Sequence, residues 1–154
     1  MSSPVVAPSG PYVPTQQALQ LGYAGLIPFV FGALLVWLLQ PDAQSEAPHG
    51  FAVAMLSGYA AVIVSFLGGI HWGLGFIHGQ PRLFVWGVVP SLVAWVAQLM
   101  RADATLVLLG VMLVACYLVD RRVYPVLGLK GWLTLRFRLT AIGALCCFLG
   151  AAGA

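Results

Sequence analysis

Charged side chains are scarce in this chain of 154 residues: four are acidic and seven are basic, which together make 7% of the sequence. An ordinary soluble domain carries about 25%. Hydrophobic residues, in contrast, make up 61% of the chain. A soluble domain of this size leaves roughly a third of its surface in water, and so few charges would not keep that surface solvated. The composition therefore excludes a soluble fold and predicts an integral membrane protein.

Motifs of catalysis and phosphate binding are also missing. The sequence has no Gly-x-Ser-x-Gly or His-Glu-x-x-His, and no Gly-Lys-Ser/Thr follows its glycines. All four carboxylates are expected in loops or at the ends of spans, whereas ion-coupled transport normally needs carboxylates inside the membrane. The cysteines Cys116, Cys146 and Cys147 lack the spacing of a zinc or disulfide site and are interpreted as packing residues. We expect neither an enzyme nor a metal site.

Long apolar runs predict a bundle of five transmembrane helices. Residues 1–41 contain no charged side chain, and the first span, 19–39, is long enough at about 1.5 Å per residue to cross a core of roughly 30 Å. The other spans are predicted at 51–77, 83–100, 104–119 and 133–152. Because the runs are continuously apolar and do not alternate with period two, the fold is expected to be all-α.

The basic residues of the loops predict the orientation. Six of the seven lie in 78–82 and 120–138, on one side, and only Arg101 lies on the other. By the positive-inside rule the N-terminus is cytoplasmic, and five spans then place the C-terminus outside. We expect a bacterial inner membrane, or the mitochondrial inner membrane in a eukaryote.

The N-terminal segment differs in composition from the rest of the chain. Residues 1–18 are rich in serine and proline and are predicted to form a disordered cytoplasmic tail, followed by a single transmembrane domain at 19–154. Thr15 is the expected N-cap of the first helix. No cleavable signal peptide is recognised.

A basic and aromatic segment precedes the last span. Its charged residues alternate with leucine and phenylalanine, which is typical of a strip at the level of the lipid head groups. The predicted head-group contacts are Arg121, Arg122, Lys130, Trp132, Arg136 and Arg138. Topology and anchoring explain this pattern, with recognition of an anionic lipid or of an acidic partner subunit as the alternative. Because the basic residues lie beside a membrane, nucleic acid is not an expected partner.

Small residues line part of the second span. On a helical wheel they form one face and its flank, and the set consists of Gly58, Ser65, Gly68, Gly69, Gly73 and Gly75. Small residues let helix backbones approach closely in lipid, where the hydrophobic effect does not drive helices together. We interpret this face as a packing surface within the chain; a partner chain, or a flat cofactor or lipid in the groove, is the alternative.

Among the Asp, Glu, Lys, Arg and His side chains, His71 is predicted to be the only one deep inside a span. Such a group is costly in lipid unless it has a partner, and it often marks a pathway or a cofactor. At 1.5 Å per residue, His71 lies about 10 Å from the cytoplasmic end, Pro90 and Ser91 about 12 Å, and Pro28 about 13 Å. Ser91 is therefore the predicted hydrogen-bond partner of His71, and Trp72 completes the candidate site. Three interpretations stay open: a satisfied structural histidine, a proton or quinone contact, and a metal or haem ligand.

Four segments resemble a known membrane family. They are LGYAGLIP at 21–28, SFLGGIHWG at 65–73, WGVVPS at 86–91 and DRR at 120–122. Together they are similar to the family called domain of unknown function 3429, whose members are transmembrane protein 69-like. The likeness covers roughly residues 19–145, without the tail and the loop 42–49. It implies a small multi-pass protein of bacterial inner membranes and mitochondria, and it brings no established activity.

Small size, the lack of catalytic sets and the small-residue face favour a non-catalytic role. We predict an accessory or assembly subunit of a larger, energy-transducing membrane complex that packs through the second span. The alternative is a protein that handles a quinone, a haem or another small molecule at a site around His71, in the layer that it shares with Ser91 and Pro28. Partner chains or pigments that co-purify in a mild detergent would separate the two.

Overall fold

The structure is a computed structural model that describes residues 13–41 and 46–154, and its regular elements are helices. They follow in the order α1 (Gln16–Ala24), α2 (Ile27–Leu38), α3 (Ala47–His78), α4 (Pro81–Ala97), α5 (Ala102–Val126) and α6 (Leu133–Gly153), with a 3-10 turn at Lys130–Trp132 before α6. No strand occurs among the described residues. The fold class is therefore all-α, as predicted.

Four helical segments are long and apolar enough to cross a membrane. They are Gln16–Leu38, Ala47–His78, Ala102–Val126 and Lys130–Gly153. The fifth, α4, is apolar but has only 17 residues. If α1 and α2 are counted as one interrupted span, the number and order of the helices confirm the predicted bundle of five.

The first span is interrupted where glycine and proline meet. α1 ends at its C-cap, Gly25, and α2 begins two residues later with Pro28 in its first turn. Because proline has no N–H to continue the hydrogen-bond ladder, carbonyl groups near the break need other donors. The hydroxyl of Tyr59 in α3 donates a hydrogen bond to the Gly25 carbonyl oxygen at 2.7 Å. The break thereby becomes a point of attachment between the first span and α3.

The start of α1 is fixed by the predicted cap. The side-chain oxygen of Thr15 accepts a hydrogen bond from the N–H of Ala18 at 3.2 Å. Residues 16–18 therefore form the first turn of a helix and do not belong to the predicted disordered tail. The rest of that tail up to residue 12, and residues 42–45 of the first loop, lie outside the described residues.

The helix α5 is longer than the predicted span of 104–119. It continues through Asp120 as far as Val126, and Gly128 then turns the chain at φ 75°, a conformation that favours glycine. The span was predicted to end at the first charged residues. In the structure only Arg121 and Arg122 point outward, while Asp120 is 1% exposed. The expectation that all carboxylates lie in loops or at span ends is wrong for Asp120, because one helix can present charges on one side and bury them on another.

The helix α3 occupies the centre of the bundle and contacts α2, α4, α5 and α6. It packs closely on α4, where Gly68 lies against the backbone of Gly87 so tightly that a side chain at either position would overlap the neighbouring helix. Nearer the end of α3, Gly75 lies against the ring of Phe84. This side of α3 is the intramolecular contact that small residues make possible.

The other predicted packing glycines of α3 have open space, in the described chain, where a side chain would lie. A side chain added at Gly58, Gly69 or Gly73 would meet no atom within 4 Å. Gly69 and Gly73 are exposed, and Ser65 is half-buried. The prediction that the whole small-residue face packs within the chain is therefore wrong, because α4 crosses on the adjacent side of the helix.

Candidate functional site

Three ionisable side chains from three helices meet near the end of the bundle that carries the turn between α5 and α6. His71 of α3 and Asp120 of α5 are each 1% exposed, and Arg136 of α6 is 8% exposed. The Nε of Arg136 donates to Asp120 Oδ2 at 2.7 Å, and Nε2 of His71 lies 3.3 Å from Asp120 Oδ1. We call these three residues the charge cluster. A single buried carboxylate thus connects α3, α5 and α6.

The second ring nitrogen of His71 also faces an oxygen. Its Nδ1 lies 3.2 Å from the carbonyl oxygen of Leu67, one turn earlier in α3. Two aromatic rings surround the imidazole, since the centroids of Trp86 and Tyr124 are each 6.4 Å from it. Both ring nitrogens therefore face oxygen atoms of the protein.

Polar atoms without hydrogen-bond partners concentrate around the charge cluster. Among the described residues, His71 Nε2 and Asp120 Oδ1 lie within ion-pair distance but outside hydrogen-bond geometry, and the buried Trp86 Nε1 and Thr140 Oγ1 have no partner. A buried polar group left unpaired costs about 1–3 kcal/mol. Such a group in a native structure needs an explanation, for which a bound molecule is one candidate.

A cavity of about 560 Å³ opens beside the charge cluster, between α1, α3, α6 and the end of α5. We call it the lateral cavity. Its lining is apolar apart from Tyr124, Trp132 and Arg136, and it consists of Ala18, Leu21, Gly22, Phe66, Ile70, Tyr124, Leu129, Trp132, Leu135, Arg136 and Leu139. Leu21 and Phe66 are 67% and 63% exposed, which places the mouth on the outer, lipid-facing surface. A smaller cavity of about 170 Å³ continues past Arg136 to Thr140.

Two predicted site residues do not join His71. Ser91 lines a groove between α3 and α4 together with Ser65 and Gln98, and the contacts of His71 are instead with Leu67 and Asp120. Trp72 is 41% exposed, and its Nε1 donates to the carbonyl oxygen of Phe84 at 3.0 Å. The prediction of Ser91 as the hydrogen-bond partner of His71 is therefore wrong, and Trp72 as a cofactor contact stays a prediction. Depth along a helix does not determine which side of that helix faces a neighbour.

Four of the six predicted head-group residues are exposed, and the other two are not. Arg121, Arg122, Lys130 and Arg138 are exposed, and Arg138 donates to the hydroxyl of Tyr23 at 3.0 Å. Trp132 is half-buried and lines the lateral cavity.

The prediction that Arg136 contacts lipid head groups is wrong. Its guanidinium group is buried against Asp120 and is not directed to the membrane surface. The reason is that α5 extends far enough to bring a carboxylate to the first turns of α6.

Three further residues of the site, Asp120, Tyr124 and Thr140, were not predicted from the sequence. Cys116, Asp120 and Tyr124 follow one another at four-residue intervals in α5 and are all buried. Arg136 and Thr140 have the same spacing in α6. Residues four apart lie on one side of a helix, so this spacing was the signal that could have found them.

The donor set of this end does not fit a metal. Within 13–41 and 46–154, no group of three or more His, Cys, Asp or Glu side chains could hold a metal ion. The polar groups in the lining of the lateral cavity are a guanidinium, a phenol and an indole N–H, and each of them can donate a hydrogen bond. This end of the bundle is suited to binding the polar head of a molecule whose apolar part lies in the cavity.

Comparisons with known proteins agree with the membrane fold. The family model described as "Protein of unknown function (DUF3429)" matches residues 14–152, a range that includes the loop 42–49. Transmembrane protein 69 of Xenopus tropicalis is 39% identical over 93 residues, which are 57% of this chain and 34% of that relative. The match thus spans about a third of the relative's length, and no solved structure is significantly similar to the chain. The chain belongs to the DUF3429 family of membrane proteins.

Proposed function

We propose that this protein binds, without catalysis, an amphiphilic molecule of the bilayer in the lateral cavity. The observation that carries the proposal is the guanidinium group of Arg136 in the wall of an otherwise mainly apolar cavity of about 560 Å³. Ligand pockets measure about 300–1,000 Å³, with a few polar groups on apolar walls. Arginine has five N–H donors, and the hydrogen bond to Asp120 uses only Nε. Tyr124 forms a further side-chain hydrogen bond with Arg136, and the other N–H groups of the guanidinium are offered to the polar end of a lipid or a quinone.

The lining of the lateral cavity favours binding over chemistry. It contains no carboxylate, histidine, serine, threonine or cysteine side chain, which are the usual general bases and nucleophiles. The carboxylate of Asp120 and the imidazole of His71 lie behind Arg136 and face each other. This arrangement holds the guanidinium in place and leaves no evident base for a reaction in the cavity.

A glycine in the wall offers a direct test. In the wild type purified in a mild detergent, native mass spectrometry is expected to show about one retained amphiphile per chain. Gly22→Phe places a ring in the lateral cavity, because a side chain at Gly22 points toward Leu139 and Leu135, and it is expected to lower that occupancy at least about fivefold, as overpacking excludes the ligand.

Gly69→Phe is the matched control, since it adds the same ring to α3 where nothing lies within 4 Å. It is expected to leave the occupancy at the wild-type level. A wild type that retains no amphiphile, or an occupancy equal in both variants, would contradict the proposal.

A second candidate is the accessory or assembly role in a larger inner-membrane complex. Its supporting observation is the exposed pair Gly69 and Gly73, with open space above both, beside the groove that holds Ser65 and Gln98. Small residues on a lipid-facing helix allow a partner helix to approach closely. The same two variants separate the candidates. Gly69→Phe would remove co-purifying chains and keep the amphiphile if the accessory role holds, and co-purification unchanged by Gly69→Phe would contradict that role.

A further inference from the structure

Every polar side chain in the lining of the lateral cavity can donate a hydrogen bond, and none is an acceptor alone. The guanidinium of Arg136 and the indole of Trp132 carry N–H groups and have no acceptor atom. The phenol of Tyr124 can donate and accept, and it shares a side-chain hydrogen bond with Arg136. Because a guanidinium can only donate, the Tyr124 oxygen accepts in that bond and its O–H stays available as a donor.

The backbone next to these side chains adds little acceptor capacity. The carbonyl oxygen of Tyr124 accepts from the N–H of Leu129 at 2.8 Å, and the carbonyl oxygen of Leu129 accepts from the N–H of Trp132 at 3.0 Å. The lining residues of α6 lie inside a helix, where each carbonyl accepts from the N–H four residues later. A polar head with N–H or O–H groups of its own would therefore meet mainly other donors.

Arg136 already has a carboxylate beside it within the protein. Its Nε lies 2.7 Å from Asp120 Oδ2, and Asp120 is not part of the cavity lining. An anionic head would bring a second negative charge close to that carboxylate in a mainly apolar cavity, which repulsion and desolvation both oppose. A cationic head would face the guanidinium across a lining that, among the described residues, has no carboxylate. A neutral acceptor avoids both costs.

We propose that the lateral cavity selects an amphiphile whose head is a neutral hydrogen-bond acceptor, a carbonyl oxygen with no N–H or O–H group beside it. This inference rests on the amphiphile binding proposed above and names the head group. A carbonyl oxygen has two lone pairs, so it can accept from Arg136 and from a second donor of the lining. Two sources in a bilayer offer this chemistry, the ester of an acyl lipid and the ring carbonyl of a quinone. The apolar lining then accommodates the tail.

Paired probes test the head group while the tail stays constant. The delipidated full chain in a neutral detergent is titrated with methyl oleate and oleyl alcohol, and separately, without oxygen, with a decyl benzoquinone and its quinol. The carbonyl member of at least one pair is expected to bind about tenfold more tightly than its partner, because a donor head leaves buried donors facing each other. The pair that shows the preference tells whether the head is an ester or a quinone.

Oleate tests whether the head is neutral. It has the same tail as methyl oleate and carries a negative charge at a pH well above the usual carboxyl pKa. We expect oleate to bind no more tightly than the methyl ester. Tighter binding of oleate would overturn the neutral head.

Variants assign the preference to the donors of the lateral cavity. The double variant Tyr124→Phe/Trp132→Phe removes one O–H and one N–H while it keeps aromatic rings, and it is expected to reduce the preference by about threefold or more. The matched control Tyr117→Phe/Trp95→Phe makes the same changes outside the lining and is expected to keep the preference. Gly22→Phe is expected to weaken the binding of every probe. If the first double variant does not fold, the wild-type ratios still decide.

The outcomes separate this inference from the proposed function. If Gly22→Phe weakens all probes but both pairs bind equally, or either pair favours the alcohol or the quinol, the carbonyl head is overturned and amphiphile binding stands. Failure of every probe to bind, together with no retained amphiphile, would overturn both. A carbonyl preference that is unchanged in Tyr124→Phe/Trp132→Phe would move the head to another site and would also contradict the inference.

Discussion

At the scale of single residues, Asp120 has the largest structural role in the site. Its carboxylate receives the hydrogen bond of Arg136 and faces His71, so it joins three helices at one point. Removing one partner of a buried pair leaves the other charge uncompensated, whereas a surface pair contributes little. The contribution of Asp120 to stability should therefore far exceed that of an exposed carboxylate.

The variant Asp120→Ala tests this contribution. It leaves Arg136 buried without its carboxylate, and we expect a loss of about 3–5 kcal/mol, the usual cost of breaking a buried pair. Thermal unfolding in detergent measures the change. Asp103→Ala is the control, because Asp103 pairs with Arg101, which is 88% exposed in its side chain, and its unfolding temperature should not move. Similar unfolding temperatures of the two variants would contradict a buried ion pair.

The variants of His71 separate hydrogen bonding from charge. A glutamine side chain keeps an N–H donor, so His71→Gln is expected to remain folded. His71→Leu removes both ring nitrogens, which face Asp120 Oδ1 and the Leu67 carbonyl oxygen, and is expected to cost about 1–3 kcal/mol, as for buried polar groups left without a polar neighbour. The same unfolding measurement compares the two. If leucine were tolerated as well as glutamine, the contact with Asp120 would not stabilise the protein.

At the scale of helices, the crossing of α3 and α4 depends on two glycines. Gly68 and Gly87 approach so closely that an added side chain on either would overlap the other helix. The neighbouring Gly69 points into open space. Two consecutive residues of α3 therefore differ: a side chain at Gly68 would overlap α4, whereas a side chain at Gly69 would meet no atom within 4 Å.

A pair of alanine variants tests the crossing. Gly68→Ala puts a methyl group onto the Gly87 carbonyl, a backbone atom that cannot turn away, and is expected to destabilise by about 1–3 kcal/mol through overpacking. Gly69→Ala is expected to be neutral or slightly stabilising, because alanine favours the helix. Both are measured by thermal unfolding in the same detergent. Equal stability of the two variants would mean that α3 and α4 cross elsewhere.

At the scale of the whole molecule, the residues that line a cavity at each end of the bundle show which helix termini lie at the same end. Ala18 lies with Leu129 and Trp132 around the lateral cavity. At the other end, Ala154 lies with His49 and Gln98 around a separate cavity. The start of α1 and the end of the chain are therefore at opposite ends of an odd number of spans. Which end faces the cytoplasm remains a prediction from the basic residues.

Cysteine labelling tests that orientation. Cysteines introduced at Gln17 and Lys130 are expected to react only with a reagent applied from the cytoplasmic side, and one introduced at Arg101 only with a reagent from outside. All three positions are exposed, and the native cysteines are buried, so background labelling is low. A reversed pattern would reject the positive-inside assignment.

The sequence by itself determined the membrane class, the number and order of the spans and the helix start at Thr15. These follow from local properties: the scarcity of charge, the length of each apolar run and the hydrogen bond of one cap. The family likewise followed from segments that are continuous in the chain.

Only the tertiary structure decided which residues form the site. Reading along the chain singled out His71, which is buried, but gave it the wrong partner, and it placed Arg136 among lipid head groups instead of against Asp120. It also did not distinguish Gly68 from Gly69. The rotation of each helix about its own axis decides these contacts. That rotation is set jointly by the packing of several helices, because in lipid neither side of an apolar helix has a solvent preference strong enough to orient it.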